Sequence, residues 1–102
     1  MNFSKYLQLS IPEHVHSVRF DEKDGLPSSV TLLNYETGEF YALDKVGFDF
    51  WCLVEEKKSL EEIVTALMST YDISKDQLRI DIEALVVSLI ETGTLTLLKT
   101  SA

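Results

Sequence analysis

Cysteine is almost missing from this sequence of 102 residues, with Cys52 the single example. One thiol excludes an internal disulfide framework and makes a reducing compartment, the cytoplasm, the expected location. Basic residues are also scarce. Nine Lys and Arg stand against 17 Asp and Glu, a formal charge of −8 and a pI near 4.6. Capture of a phosphate backbone needs the opposite balance, so a nucleic-acid partner is not expected. Long apolar runs are lacking: residues 84–90 form the strongest, Ser88 interrupts it, and a membrane helix needs about 18 apolar residues. Met1-Asn2-Phe3-Ser4-Lys5-Tyr6 has no basic region followed by an apolar core, so no signal peptide is expected. The four glycines are scattered singly, which leaves no phosphate-binding loop. What remains is 45% hydrophobic and 25% charged, an ordinary globular composition. The length predicts one domain over residues 1–102, able to bury roughly two-thirds of its unfolded surface without a metal or disulfide.

Residues 12–20 end in Val18-Arg19-Phe20, apolar residues alternating with polar ones, and read as a first strand. Residues 21–28 are polar and contain Gly25 and Pro27, a loop. Val30-Thr31-Leu32-Leu33 and Glu39-Phe40-Tyr41-Ala42-Leu43 are two further strands. Residues 34–38 join them, with Gly38 able to supply the positive φ of a tight hairpin. The period then changes. Asp44 can cap a helix carrying Val46, Phe50, Trp51 and Val54 at helical spacing. Ser59-Leu60-Glu61-Glu62 is a capping box opening a second helix, whose apolar face is Leu60, Ile63, Val64, Leu67 and Tyr71. Ser74 caps a third helix that runs to about Glu91, before Gly93 stops it. Residues 94–98 suggest a short terminal strand or packed tail. The expectation is an α+β domain, a three-stranded antiparallel sheet over about 12–43 followed by three helices over about 44–92, with the helices on one face. The second and third fit a helix-turn-helix pair.

At about 100° per residue, Leu78, Ile82, Leu85 and Leu89 of the third helix share one arc and should pack on the core. Ile80, Ala84 and Val87 cluster nearly opposite, where a surface helix normally carries charge. Either both sides are buried, or the second is an open apolar strip for a partner, flanked by Arg79 and Glu83. The strands offer a complementary feature. Glu39 to Leu43 is an outer strand of the meander, so its free edge can pair with another chain unless a terminal segment covers it. Self-pairing is a further use of such an edge, so a monomer or weak dimer is expected.

Side chains suited to catalysis are poorly grouped. His14 and His16 would share a strand face, but no third or fourth ligand has suitable spacing, so they read as solvated. Cys52 lies in an apolar run that raises a thiol pKa, and the helical half of the chain has no histidine to act as its base. Glu55-Glu56 and Glu61-Glu62 read as solvated helix ends. No enzyme activity, metal or cofactor is expected. A winged-helix DNA reader fits the order of elements, but its recognition helix, residues 75–83, would carry two basic and three acidic residues.

Residues 31–44, then Gly47 and Trp51, resemble the opening of PqqD-like domains. Ser59-Leu60-Glu61-Glu62-Ile63-Val64, Leu67, Tyr71, Asp81-Ile82 and Leu89-Ile90-Glu91-Thr92-Gly93 continue the pattern, which spans roughly residues 28–98. Asp44 departs from the Asn more usual there, although either residue can cap a helix. The resemblance implies a winged helix-turn-helix-like fold and a precursor-peptide recognition element without catalysis of its own. A leader peptide would add as a strand at Glu39, Phe40, Tyr41, Ala42 and Leu43 and pack beside Arg79, Ile80, Glu83, Ala84 and Val87. Pro12-Glu13-His14-Val15-His16 resembles the start of the stand-alone recognition proteins of lasso-peptide biosynthesis, which implies a leader peptidase and a macrocyclase as partners. The alternative branch is the peptide-binding partner of a radical enzyme in pyrroloquinoline quinone biosynthesis.

Overall fold

The computed structural model describes residues 8–98. Its elements are β1 (Gln8–Ser10), β2 (Val15–Phe20), β3 (Ser29–Asn34), β4 (Phe40–Leu43), α1 (Lys45–Glu55), α2 (Leu60–Thr70), α3 (Lys75–Glu91) and β5 (Thr96–Leu98). The fold is α+β. The expected meander is a three-stranded antiparallel sheet in the order β2-β3-β4. Gly38 (φ +77°) provides the left-handed residue of the β3–β4 hairpin. The terminal residues 96–98 do form a strand, and its partner is β1, which the sequence pattern did not reveal.

The three helix starts follow from their caps. Asp44 Oδ1 accepts from the Gly47 amide at 3.0 Å. Ser59 and Glu62 form both bonds of the capping box, and Ser74 Oγ accepts from the Gln77 amide at 3.2 Å. Each such cap contributes about 1 kcal/mol by satisfying amides that the helix cannot. Gly47 is required for another reason: a Cβ there would lie 2.6 Å from Leu43 Cβ, so only glycine lets α1 start this close to the end of β4.

The core gathers Val30 and Leu32 of β3, Phe50, Trp51 and Val54 of α1, four residues of α2, and Leu78, Ile82, Val86 and Leu89 of α3. Burying each contributes about 1.5–3 kcal/mol against the entropy of ordering it. α1 packs on β3, β4 and α2, and α2 packs on α3. The α3 stripe differs by one residue from the expected one: Val86 is fully buried and Leu85 only half-buried. The four buried residues span about 80° of the wheel, which includes Val86 and leaves Leu85 at its margin.

The histidines also differ from expectation. His14 precedes β2 and is half-buried; its Nε2 donates to the Gly93 carbonyl oxygen at 3.0 Å and its Nδ1 lies 3.3 Å from Glu36 Oε1. It acts as a clasp between the sheet and the end of α3. His16 alone is exposed, beside Tyr35.

Candidate functional site

Among the described residues β4 has a neighbour on one side only, β3. Neither described terminal strand covers its other edge, because β1 and β5 pair with each other. The phase of the ladder determines which groups that edge offers. The register pairs Leu33 with Phe40, Leu32 with Tyr41, Thr31 with Ala42 and Val30 with Leu43. One step beyond, the Asn34 amide donates to the Glu39 carbonyl oxygen at 2.9 Å. Antiparallel pairs alternate between bonded and non-bonded, so Tyr41 and Leu43 direct their backbone groups at β3. Phe40 and Ala42 direct theirs outward. β2 agrees: the Tyr35 amide donates to the His14 carbonyl oxygen at 2.8 Å, which gives the odd-numbered residues of β3 to β2 and the even-numbered ones to β4.

The side chains alternate as well. Phe40, 70% exposed, and Ala42 face outward from the sheet, whereas Tyr41 and Leu43 are half-buried. Glu39 is exposed and stands one residue before β4, so the expected strand is shorter by that residue. On α3, Ile80 is 62% exposed, Ala84 is exposed and Val87 is half-buried against the core. The second apolar strip of α3 is therefore open among the described residues. Arg79 and Glu83 flank it as a pair, Nε to Oε1 at 3.0 Å. Arg79 also reaches Glu61 at 3.5 Å, and Lys75 reaches Glu61 at 2.7 Å. Both cations of the segment that a DNA-reading helix would present are thus held by carboxylates, which removes charge that phosphates would need.

A polar junction at the end of α3 fixes the strip relative to the hairpin. Buried Asn34 donates through Nδ2 to the Thr92 carbonyl oxygen at 3.2 Å. Its Oδ1 accepts from the amides of Glu36 at 2.9 Å and Thr37 at 3.4 Å. Gly93 (φ +74°) turns the chain beside it, where a Cβ would lie 3.2 Å from Asn34 Nδ2. From β4, the Tyr41 hydroxyl meets the side chains of Glu39 and Thr92. Burial and the Glu39 charge push its phenol above the usual tyrosine range, and Thr92 partly opposes them. Asn34, Tyr41 and Thr92 as one cluster were not legible in advance, since Asn34 looks like an ordinary turn residue and Thr92 lies 58 residues away.

Other sites carry less chemistry. Burial pushes the Cys52 thiol up, against the pull of Arg19, which makes it a poor nucleophile. No group of three or more His, Cys, Asp or Glu among the described residues is arranged to hold a metal. No described helix is long and apolar enough to cross a membrane. A cavity of about 560 Å³ lies beside β2, lined by Phe20, Leu26 and Pro27. It lies at the β2 edge of the sheet, the edge opposite β4.

A family model described as "Coenzyme PQQ synthesis protein D (PqqD)" matches residues 29–95. No curated protein gives a significant match. Among solved structures, "TbiB1 in Complex with the TbiA(beta) Leader Peptide" is 32% identical, with 83% of this chain and 92% of that one covered and a TM-score of 0.75. "Lasso peptide synthetase B1 complexed with the leader peptide" is 21% identical, with 87% and 98% covered and a TM-score of 0.75; at that identity it speaks for the fold alone. With the family model covering the hairpin, all three helices and the polar junction, and one solved relative above 30% identity over most of both chains, this chain belongs to the PqqD family.

Proposed function

We propose that this protein is a non-catalytic adaptor that binds the leader segment of a ribosomally made precursor peptide and presents it to processing enzymes. The carrying observation is the free edge of β4, where Phe40 and Ala42 offer outward donors and acceptors and no described strand covers them. A leader adds there as a fourth strand of the meander, and its backbone bonds contribute affinity at any sequence. Ile80, Ala84 and Val87 of α3 select apolar side chains, while Arg79 and Glu83 border the strip. Each bond formed at the edge contributes about 0.5–1.5 kcal/mol net, and the apolar contacts add roughly 25 cal/mol per Å² buried.

The lasso-peptide branch is favoured over pyrroloquinoline quinone biosynthesis because Pro12-Glu13-His14-Val15-His16 resembles the start of the stand-alone lasso-peptide recognition proteins, and the similar structure above 30% identity, TbiB1, holds a leader peptide. The partners are then a leader peptidase and a macrocyclase, acting on a peptide that this chain holds without reacting with it. Titration of the full chain with a synthetic leader from its own gene neighbourhood tests the reading. We expect saturable one-to-one binding that Val87→Glu abolishes while circular dichroism is unchanged. Unaltered affinity in that variant would remove the α3 strip from the site.

A further inference from the structure

The meander has a second unpaired edge. Among the described residues β2 pairs with β3 alone. The Tyr35 amide donates to the His14 carbonyl oxygen, so the even-numbered residues of β2 bond to β3. Val15, Ser17 and Arg19 therefore turn their backbone groups outward. Natural edges are blunted by shortness, by bulges, or by Lys and Pro. β2 uses none of these: it has six residues, each opposite one residue of β3, and its one permanent charge, Arg19, is held by Glu55 of α1. The side chains beside the edge are largely apolar, with Val18 45% and Phe20 53% exposed next to His16. The chain has 17 carboxylates, and none lies within Val15–Phe20. Two copies at −8 each meet the least repulsion on such a strand.

We infer that two copies of this chain associate through β2, paired antiparallel to itself about a twofold axis at Val18. An edge needs an extended partner, and under a twofold axis β2 supplies one with the same alternation. Outward groups belong to odd-numbered residues, so odd must pair with odd, and the axis falls at Ser17, Val18 or Arg19. Charge selects among these. An axis at Ser17 sets Glu13 against Asp21 of the second copy, and one at Arg19 sets two arginines face to face; like charges opposite each other destabilise a sheet. An axis at Val18 sets Glu13 against Lys23, Ser17 against Arg19, Phe20 against His16, and Val18 against its own counterpart. Both exposed apolar side chains are then covered. The product is a six-stranded sheet whose two β4 edges lie at its outer ends, about 24 Å apart at five strand spacings. Both peptide edges stay open, and the inference stands independently of the peptide-binding reading. With one short strand from each copy, the interface falls below the standard size of roughly 1,200–2,000 Å², so a dissociation constant on the order of 100 μM is expected.

Sedimentation equilibrium of the full chain without peptide, from about 10 μM to 1 mM, should show monomer and dimer only, with association strengthening as salt screens the two charges. Val18→Lys, at an exposed position, should weaken the dimer at least about tenfold with an unchanged circular dichroism spectrum, because the twofold axis counts the substitution twice. In a Cys52→Ser background, Val18→Cys should cross-link on mild oxidation, since a non-bonded pair brings the two Cα atoms to about 4.5 Å. His16→Cys alone should not, because its counterpart lies about 14 Å away along the strand, whereas mixed His16→Cys and Phe20→Cys chains should cross-link to each other. A monomer throughout the range at high salt, a dimer indifferent to Val18→Lys, or no cross-link at Val18→Cys would overturn the inference and leave the peptide reading intact. Saturating leader peptide should leave the dimer assembled with two peptides bound. A dimer that the leader disperses would place the peptide on β2, overturning both the inference and the assignment of the peptide to β4.

Discussion

The amide of Asn34 donates to the carbonyl oxygen of Glu39 at 2.9 Å, and this bond sets the phase of the whole β3–β4 ladder. Its consequence is a contrast between neighbouring prolines. Ala42→Pro removes an outward donor and spares the ladder, whereas Tyr41→Pro removes a donor that β3 uses. Ala42→Pro should keep a cooperative thermal transition and lose at least about fivefold in peptide affinity, one net hydrogen bond of ~1 kcal/mol. Tyr41→Pro should lower the melting temperature markedly before any peptide is added. Calorimetric titration and thermal denaturation of both variants provide the check.

Asn34 is buried and bonds to the Thr92 carbonyl oxygen and to two hairpin amides. Asn34→Ala should cost roughly 1–3 kcal/mol, because those groups lose partners where water reaches poorly. Since Asn34 holds the end of α3 against the hairpin, peptide affinity should fall with stability. Urea denaturation at fixed pH measures the first effect, and the full loss should also appear in the Asn34→Ala/Ala42→Pro pair if the two act separately.

Gly47→Ala tests the close approach of α1 to β4. Alanine is the better helix former by up to ~1 kcal/mol, but its Cβ would meet Leu43 Cβ at 2.6 Å. Overpacking of this kind costs about 1–3 kcal/mol, so a net loss is expected in chemical denaturation.

Tyr71 gives a pH prediction. Its hydroxyl donates to Asp49 Oδ2 at 2.5 Å, joining the end of α2 to α1. Burial, together with that bond and the Asp49 charge, pushes the phenol up to about 12. The folded value is raised above the unfolded one near 10, so the associated stability is complete below about pH 10 and is lost between about 10 and 12. Denaturation midpoints should fall across that window in the native chain, and Tyr71→Phe should flatten this fall.

Much of this architecture was legible in the sequence where the determinants are local. Asp44, Ser59 and Ser74 cap the helices that their spacing predicts, because a cap and its amide lie three residues apart. Gly38 marks the hairpin, and the alternation in β3 marks its buried face. The pairing of β1 with β5 was not legible: three residues carry little periodicity, and their partners lie about ninety positions away. The same holds for His14 and Asn34. Each looks like a surface residue of a strand end or turn, and only the folded chain brings Gly93 and Thr92 to it. The sequence left two uses for the outer face of α3, buried or open; exposure of Ile80 and Ala84 decides for an open strip.

Amide hydrogen exchange of β4, measured by NMR with and without a saturating leader peptide, tests the central claim most directly. In the free protein, Tyr41 and Leu43 should be protected by β3, and Phe40 and Ala42 should exchange freely at the open edge. Bound peptide should protect Phe40 and Ala42 and leave Tyr41 and Leu43 as they were. If Phe40 and Ala42 still exchange freely in the saturated complex, the peptide does not add as a strand to β4, and the account is contradicted.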